Sequence, residues 1–251
     1  MIPSREIYWN IPAHLLLYPL FLPFLAAFLY GCYRLVKLLL IGAPEKNVAP
    51  LREQIRALFL QAALQKRLLA QPLVGGMHAA ISWGFGILFI ATCMVALQDY
   101  FGIPTLSGNF YLYFMSLAAD VFGVAAVAGV VVALLRRYAL KPERLWKPRD
   151  AEGYRIFLWL LLVVLVSGFA VEGLRIAASR DPWGPWSPGG WLAAAGFAPL
   201  TLSQQILWHR VAWWGHAVLA EVRRRVEAGR LLQMTQSARG WKCGKKRKAI
   251  R

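Results

Sequence analysis

Long uninterrupted apolar runs are the feature of this 251-residue sequence that most restricts its fold. A helix needs about 20 mostly apolar residues to cross a hydrocarbon core about 30 Å thick. Hydrophobic residues make up 58% of the chain and charged residues only 16%, against about 25% charged residues in ordinary globular proteins. The runs extend over about His14 to Leu40, Leu73 to Leu97, Tyr111 to Leu135, Tyr154 to Leu174 and Leu200 to Ala220. Because backbone groups that face lipid must be satisfied within their own helix, the sequence predicts an all-α integral membrane bundle of about five transmembrane helices.

The basic residues predict how this bundle is oriented. Lys and Arg are frequent between the first and second apolar segments, between the third and fourth, and in the tail after Ala220. The segments 98–110 and 175–199 contain only Arg175 and Arg180, and the N-terminus contains only Arg5. Cytoplasmic loops carry the excess of Lys and Arg, so the expected topology is N-out and C-in. This topology explains most of the net charge of +17, and membrane lipid rather than nucleic acid is the expected partner.

The stretch LREQIRALFLQAALQKRLL, between the first two apolar segments, has a different pattern. Leu51, Ile55 and Leu58 recur at helical spacing with basic residues between them. This pattern predicts an amphipathic helix that lies on the cytoplasmic interface. Two interpretations remain open: a simple surface linker, or part of a docking face for a cytoplasmic subunit.

Apart from His14, at the outer end of the first segment, three histidines fall within the apolar segments, where ionisable groups are costly and usually serve a function. His78 lies among glycines in GGMHAAISWGFG, which would leave space for a flat macrocycle or for close helix packing. His209 and His216, in ILWHRVAWWGHAVLA, project from nearly one helix face, about 10 Å apart along the axis.

Counted from the cytoplasmic side, His78 and His216 fall at similar depths and could clamp one iron between two helices. Axial haem ligation is one use of such a pair, and a bare metal ion is another. A buried structural role is the alternative for His78. His209 lies nearer the bilayer centre, where it could hydrogen-bond a quinone or a haem propionate.

Charged residues in the same segments suggest proton transfer. Asp120 lies in the third apolar segment, and Glu172 lies near Arg175 at the outer end of the fourth. Carboxylates near the outer surface are candidate proton acceptors for quinol oxidation. Arg210, beside His209, could pair with a haem propionate. For Glu172 and Arg175, an interfacial ion pair is the alternative.

At these residues the chain resembles a known family. It is similar to the membrane cytochrome b subunits related to the respiratory nitrate reductase gamma subunit. The likeness is closest to the version paired or fused with heterodisulfide-reductase-like iron–sulfur proteins. The matching stretches, in order, are YWNIPAH, MHAAISWGFGILFIAT, RRYALKPERL, EGLRIA with PWGPWSPGGW, and HRVAWWGHAVLA. They place a cytochrome b domain over residues 1–220, followed by a basic cytoplasmic tail, 221–251, of no family likeness.

The resemblance implies one or two haems b, a quinone such as menaquinone as redox partner, and a cytoplasmic iron–sulfur subunit. It also implies a multi-pass location in the inner (cytoplasmic) membrane. His78 and His216 match ligand positions of the family. The expected function is electron transfer within an oxidoreductase complex, and the alternative is a membrane anchor without a cofactor.

The sequence departs from the family at two places. Leu88 stands where the nitrate reductase gamma subunit has a second ligand on the same helix. After Ala220 the sequence continues as EVRRRVEAGR, with no histidine after His216, where the family has a further ligand. Two expectations follow: a frameshifted or truncated C-terminus, or a single haem held by His78 and His216.

Overall fold

A computed structural model describes residues 2–40, 50–140 and 151–220. The chain falls into two compact units. Among the described residues, the larger unit combines 2–12 with 51–140 and 151–216, and the smaller combines 13–40 and 50 with 217–220. The tail 221–251, and with it the expected C-terminal departure from the family, lies outside the described residues.

Helices dominate both units. In chain order they are α1 (Leu17–Leu39), α2 (Leu51–Leu58), α3 (Pro72–Phe101), α4 (Gly108–Leu140), α5 (Ala151–Ser179), α6 (Pro188–Phe197) and α7 (202–220). Within the described ranges the only β pairing is an isolated antiparallel bridge between Ser4 and Ser107. The predicted all-α fold is confirmed.

Four described helices are long and apolar enough to cross a membrane. Their candidate spans are His14–Lys37, Pro72–Phe101, Gly108–Leu140 and Arg155–Ser179. They correspond to the first four predicted segments, so the chain is an all-α membrane bundle. The fifth segment is also helical, as α7, but Gln204, Gln205 and Arg210 lower its hydropathy, and it is not among the four. The N-out, C-in orientation stays a prediction.

The core of the larger unit lies where α3, α4 and α5 pack together. Ala126, Val130 and Leu134 of α4 are buried against Leu161 and Leu165 of α5. Glycines allow α3 and α4 to approach closely: a Cβ on Gly129 would lie 2.9 Å from the Met77 carbonyl oxygen. Leu88, at the place of the family's additional ligand, packs against this same core. The apolar side chain therefore fills space between helices.

The predicted amphipathic helix is shorter than its sequence pattern. α2 ends at Leu58, a π-helical turn follows over Phe59–Ala63, and Gln65 then adopts a left-handed conformation with φ of 49°. Leu51, Ile55 and Phe59 are exposed. An exposed apolar stripe beside basic residues agrees with an interfacial helix. Its docking role stays a prediction.

Candidate functional site

The N-terminal segment, residues 2–12, lies across one end of the larger unit, which we call the outer end because the charge pattern assigns it to the outside. Its backbone pairs with the loop between α3 and α4. The Arg5 amide donates to the Leu106 carbonyl at 3.0 Å, and the Gly108 amide donates to the Pro3 carbonyl at 2.7 Å. These bonds fix the segment over the ends of the membrane helices.

The same segment also holds α7. The Asn10 side-chain amide donates to the Ile206 carbonyl at 2.9 Å, and Arg210 Nε donates to both oxygens of Asn10, at 3.0 and 3.1 Å. The Tyr8 ring meets the Trp213 ring edge to face, with centroids 5.9 Å apart. In this structure Arg210 therefore binds the protein's own N-terminal segment, and its role toward a haem propionate stays a prediction.

An ion-pair network joins this segment to α5. Glu172 accepts from Arg5 at 3.0 Å and from Arg175 at 2.8 Å, and Arg175 also donates to Asp181 at 2.8 Å. Two cations thus balance two carboxylates. Burial lowers the pKa of the Arg5 guanidinium, while the Glu172 carboxylate opposes that shift. The interfacial ion pair considered for Glu172 and Arg175 is present, as part of a larger network.

His209 is the most deeply buried of the candidate histidines. Its residue is only 2% exposed, and its Nδ1 atom is buried with no hydrogen-bond partner among the described residues. The Trp9 ring packs edge-on against the imidazole with centroids 5.0 Å apart. Arg5, Arg175 and Glu172 are near enough to interact with it electrostatically. A buried polar atom without a partner is rare in native structures, so His209 is a candidate ligand-binding group.

A cleft of about 190 Å³ opens at the outer end, beside the ion-pair network. We call it the outer cleft; its lining includes Arg5, Glu6, Trp9, Arg175, Ser179 and Asp181. Trp9 both lines this cleft and contacts His209. Sequence reasoning did not identify Arg5, Trp9 or Asp181 as site residues. The N-terminal cluster REIYWN is the sequence feature that could have pointed to Arg5 and Trp9. Its position beside Glu172 depends on the tertiary fold.

Asp120 holds the short helix α6 in place. Its two carboxylate oxygens accept the backbone N–H groups of Gly189 and Gly190 at 2.7 and 2.9 Å. These amides belong to the first turn of α6, which has no partner for them within the helix. Asp120 therefore has a structural role as a cap supplied by α4. Its proton-accepting role stays a prediction.

His216 packs on α5 at Ser167 and Gly168. Its Nδ1 lies 2.9 Å from Ser167 Oγ, and that hydroxyl donates to the Val164 carbonyl at 2.9 Å. The donor in this pair depends on the ring tautomer: when the hydroxyl donates to Val164, Oγ accepts from His216 and the proton lies on Nδ1. The Nε2 atom then carries a lone pair and can bind a metal ion.

His78 lies in a different environment, on an exposed part of α3. A Cβ on Gly76 or Gly86 would meet nothing within 4 Å, so the helix surface near His78 is open. The described residues contain no group of three or more His, Cys, Asp or Glu that could hold a metal ion. A haem held by two histidines needs only one from each side. The pairing of His78 with His216 stays a prediction.

Two known proteins are similar to the chain. It is 34% identical over 229 residues to the EtfAB:quinone oxidoreductase of Syntrophomonas wolfei subsp. wolfei, covering 87% of this chain and 32% of that protein. It is 30% identical over 131 residues to a subunit of the dihydromethanophenazine:CoB–CoM heterodisulfide reductase of Methanosarcina acetivorans, covering 48% of this chain and 47% of that one. The matched part is thus about a third of the first relative and half of the second.

The second relative agrees with the expected likeness to heterodisulfide reductase systems, whereas likeness to the nitrate reductase gamma subunit stays a prediction. No family model matches the chain, and no solved structure matches it.

Proposed function

We propose that this chain is a haem-b membrane subunit that transfers electrons between the quinone pool and a cytoplasmic iron–sulfur oxidoreductase partner. The similarity to an EtfAB:quinone oxidoreductase over 87% of the chain supports a quinone-linked redox complex. The similarity to a heterodisulfide reductase subunit supports a redox partner protein. The inner (cytoplasmic) membrane and menaquinone are part of the same proposal.

One observation carries the haem assignment: the hydrogen-bond chain that orients His216. In this proposal Ser167 Oγ accepts from Nδ1–H of His216, and Nε2 is the ligating atom. Metal-binding histidines usually donate their second ring N–H to a fixed acceptor in this way. Gly168 lies against the ring, where a Cβ would be only 3.3 Å from His216 Cε1. These contacts support His216 as the ligand, with a small residue beside its ring.

His78 supplies the other ligand in this proposal. Its exposed position leaves room for a macrocycle beside α3, and Gly76 and Gly86 leave that surface open. A bound haem b supplies reversible one-electron transfer. The protein's own residues would hold it, and Ser167 would keep the imidazole of His216 in one tautomer.

Haem content per chain tests this proposal. Purified protein should show a reduced-minus-oxidised α band of low-spin haem b and a positive pyridine haemochrome assay. His78→Ala and His216→Ala should each lose haem, while His14→Ala, which is not a proposed ligand, should retain it. Ser167→Ala should still bind haem. It should release the haem more readily or change the haem reduction potential, because His216 loses its hydrogen bond.

A colourless wild-type preparation would contradict the haem proposal. It would favour the alternative of a membrane anchor without a cofactor.

A further inference from the structure

A hydrogen-bonded cluster joins α4 and α5 at the end of the larger unit opposite the outer end, which we call the inner end. The hydroxyl oxygen of Tyr138, in the last turn of α4, accepts from Trp159 Nε1 at 3.0 Å and from Arg155 Nε at 3.3 Å. The Tyr138 and Trp159 ring centroids are 6.4 Å apart, and the Arg155 guanidinium carbon lies 5.8 Å from the Tyr138 centroid. All three residues are exposed. We call Tyr138, Arg155 and Trp159 the inner cluster.

The hydrogen bonds within the inner cluster leave only donors for a further group. Two donors already reach the Tyr138 hydroxyl oxygen, so its own O–H group is the part that can bind something else. Arg155 uses Nε in the cluster, and its terminal nitrogens form no hydrogen bond with a described residue. A guanidinium has no acceptor, so these nitrogens can only donate. A group that binds both side chains must be an acceptor, and anionic oxygens make the strongest such bonds.

The charge around the inner cluster is positive. Arg137 and Arg155 both act electrostatically on the Tyr138 hydroxyl. In the sequence, residues 136–155 contain seven Lys or Arg and three Asp or Glu, which leaves a net charge of +4. Basic residues at the end of a membrane helix attract anionic lipid head groups, and Trp and Tyr are enriched at the same depth.

An exposed apolar stripe runs from the inner cluster along each of the two helices. The exposed residues are Ile156, Trp159, Val163 and Val166 on α5, and Val131, Leu135 and Tyr138 on α4. Successive members lie three or four residues apart, so each set occupies one face of its helix. From Ile156 to Val166 the stripe is about 15 Å long, about the depth of hydrocarbon in one leaflet. A polar cluster at the end of such stripes matches a phospholipid, with its head group at the cluster and its acyl chains along the helices.

We propose that the inner cluster binds the phosphate group of an anionic phospholipid, with Arg155 and the Tyr138 hydroxyl donating to its oxygens and the acyl chains lying along α4 and α5. Trp159 is a positioning residue, because its Nε1–H occupies the Tyr138 oxygen and keeps the hydroxyl as a donor. The site lies in the leaflet at the inner end. It uses neither His78 nor His216, so it is independent of the haem proposal.

General anchoring at the membrane interface is a simpler use for these side chains and makes a different prediction. Trp, Tyr and Arg near a helix end interact with the interface whatever the lipid head group. In a phosphate site, Arg155 and Tyr138 bind one group together. Loss of either hydrogen bond alone should then reduce the preference for anionic lipid.

Native mass spectrometry of the full-length chain in detergent tests the preference. The protein is titrated with dioleoyl phosphatidylglycerol and, separately, with dioleoyl phosphatidylcholine, which has the same acyl chains and no net charge. The wild type should bind phosphatidylglycerol about fivefold more tightly or better, because its head group adds a net negative charge. Equal affinity for the two lipids would overturn the proposal and leave general anchoring.

Single substitutions test the residues. Arg155→Ala should weaken phosphatidylglycerol binding about tenfold, and Tyr138→Phe, which removes only the hydroxyl, about threefold. Trp159→Phe keeps an aromatic ring at the same depth and should weaken binding less than Tyr138→Phe. Wild-type affinity in Tyr138→Phe would overturn the proposal. Because Tyr138→Phe keeps the ring, its result stands even if Arg155→Ala proves unstable.

Arg136→Ala is the matched control for charge. Arg136 is a half-buried arginine at the same helix end, but two residues before Tyr138 it lies about 200° around α4. The variant loses the same charge as Arg155→Ala and should bind phosphatidylglycerol nearly as the wild type does. Equal losses in the two variants would show charge attraction without a site, and would overturn the proposal.

Inorganic phosphate in excess distinguishes a lipid from a free anion. Bound phosphatidylglycerol should remain, because its acyl chains add apolar contacts that phosphate lacks. Displacement of the lipid by phosphate would assign the inner cluster to a soluble anion and would overturn the lipid assignment.

Discussion

Single carboxylates in this protein differ in what they bind. Asp120 accepts two backbone N–H groups from α6, whereas Glu172 accepts guanidinium groups from Arg5 and Arg175. Both were predicted as proton acceptors because both lie in apolar segments. In this structure each carboxylate has a structural role. If either also accepts a proton, it must do so while it keeps or breaks these hydrogen bonds.

We expect Asp120→Ala to lower the free energy of unfolding by about 1–2 kcal/mol, the usual cost of removing a helix N-terminal cap. Asp120→Asn keeps one acceptor oxygen and should cost less. Thermal unfolding in detergent measures both. If Asp120 also accepts a proton, Asp120→Asn would instead remove quinol oxidation while changing stability little, which separates the two roles.

Glu172→Gln should destabilise the outer end on the order of 3 kcal/mol, because it leaves buried or half-buried guanidinium groups without their full charge partner. Arg175 would keep Asp181, so the loss should fall mainly on the N-terminal segment. Hydrogen exchange over residues 2–12 measures that local effect. Glu53→Gln, at an exposed position on α2, serves as the control and should change nothing.

For single residues, the sequence identifies candidate side chains but not their hydrogen-bond or ion-pair partners. Glu172, Arg175, His209 and His216 stand out in the sequence because ionisable groups in apolar segments are costly. Their partners could not be predicted, since Arg5 is 167 positions before Glu172 in the chain and Ser167 is 49 positions before His216. Nothing in local spacing connects such residues.

Among the helices, the approach of α3 to α4 depends on glycine. A Cβ on Gly129 would meet Ile81 and the Met77 carbonyl oxygen at 2.9 Å, closer than side chains normally approach. Close backbone contact of this kind is how membrane helices associate in the absence of a hydrophobic driving force.

We therefore expect Gly129→Ala to lower the unfolding temperature, because α3 and α4 must move apart. Gly86→Ala is the matched control on α3. A Cβ there meets nothing within 4 Å, and the change should be neutral or slightly stabilising, since alanine favours helices. Equal effects of the two substitutions would show that the helix contact does not depend on Gly129.

For the whole molecule, the distribution of Lys and Arg predicts a membrane orientation that the fold does not test. We expect an N-out, C-in chain. A fluorescent protein that folds only in the cytoplasm should be bright when fused after residue 251 and dark when fused before residue 1. The opposite pattern would place Arg5 and His209 on the cytoplasmic side.

The apolar runs alone determined that this chain is an all-α membrane bundle, because a lipid environment permits few ways to satisfy the backbone. They also predicted the four candidate spans, and α7 as a helix. Only the tertiary structure decided that Asp120 caps α6, that Leu88 fills the core, and that Arg5 and Trp9 lie beside Glu172 and His209. Hydropathy is a property of each segment by itself, whereas a site depends on which distant segments pack together.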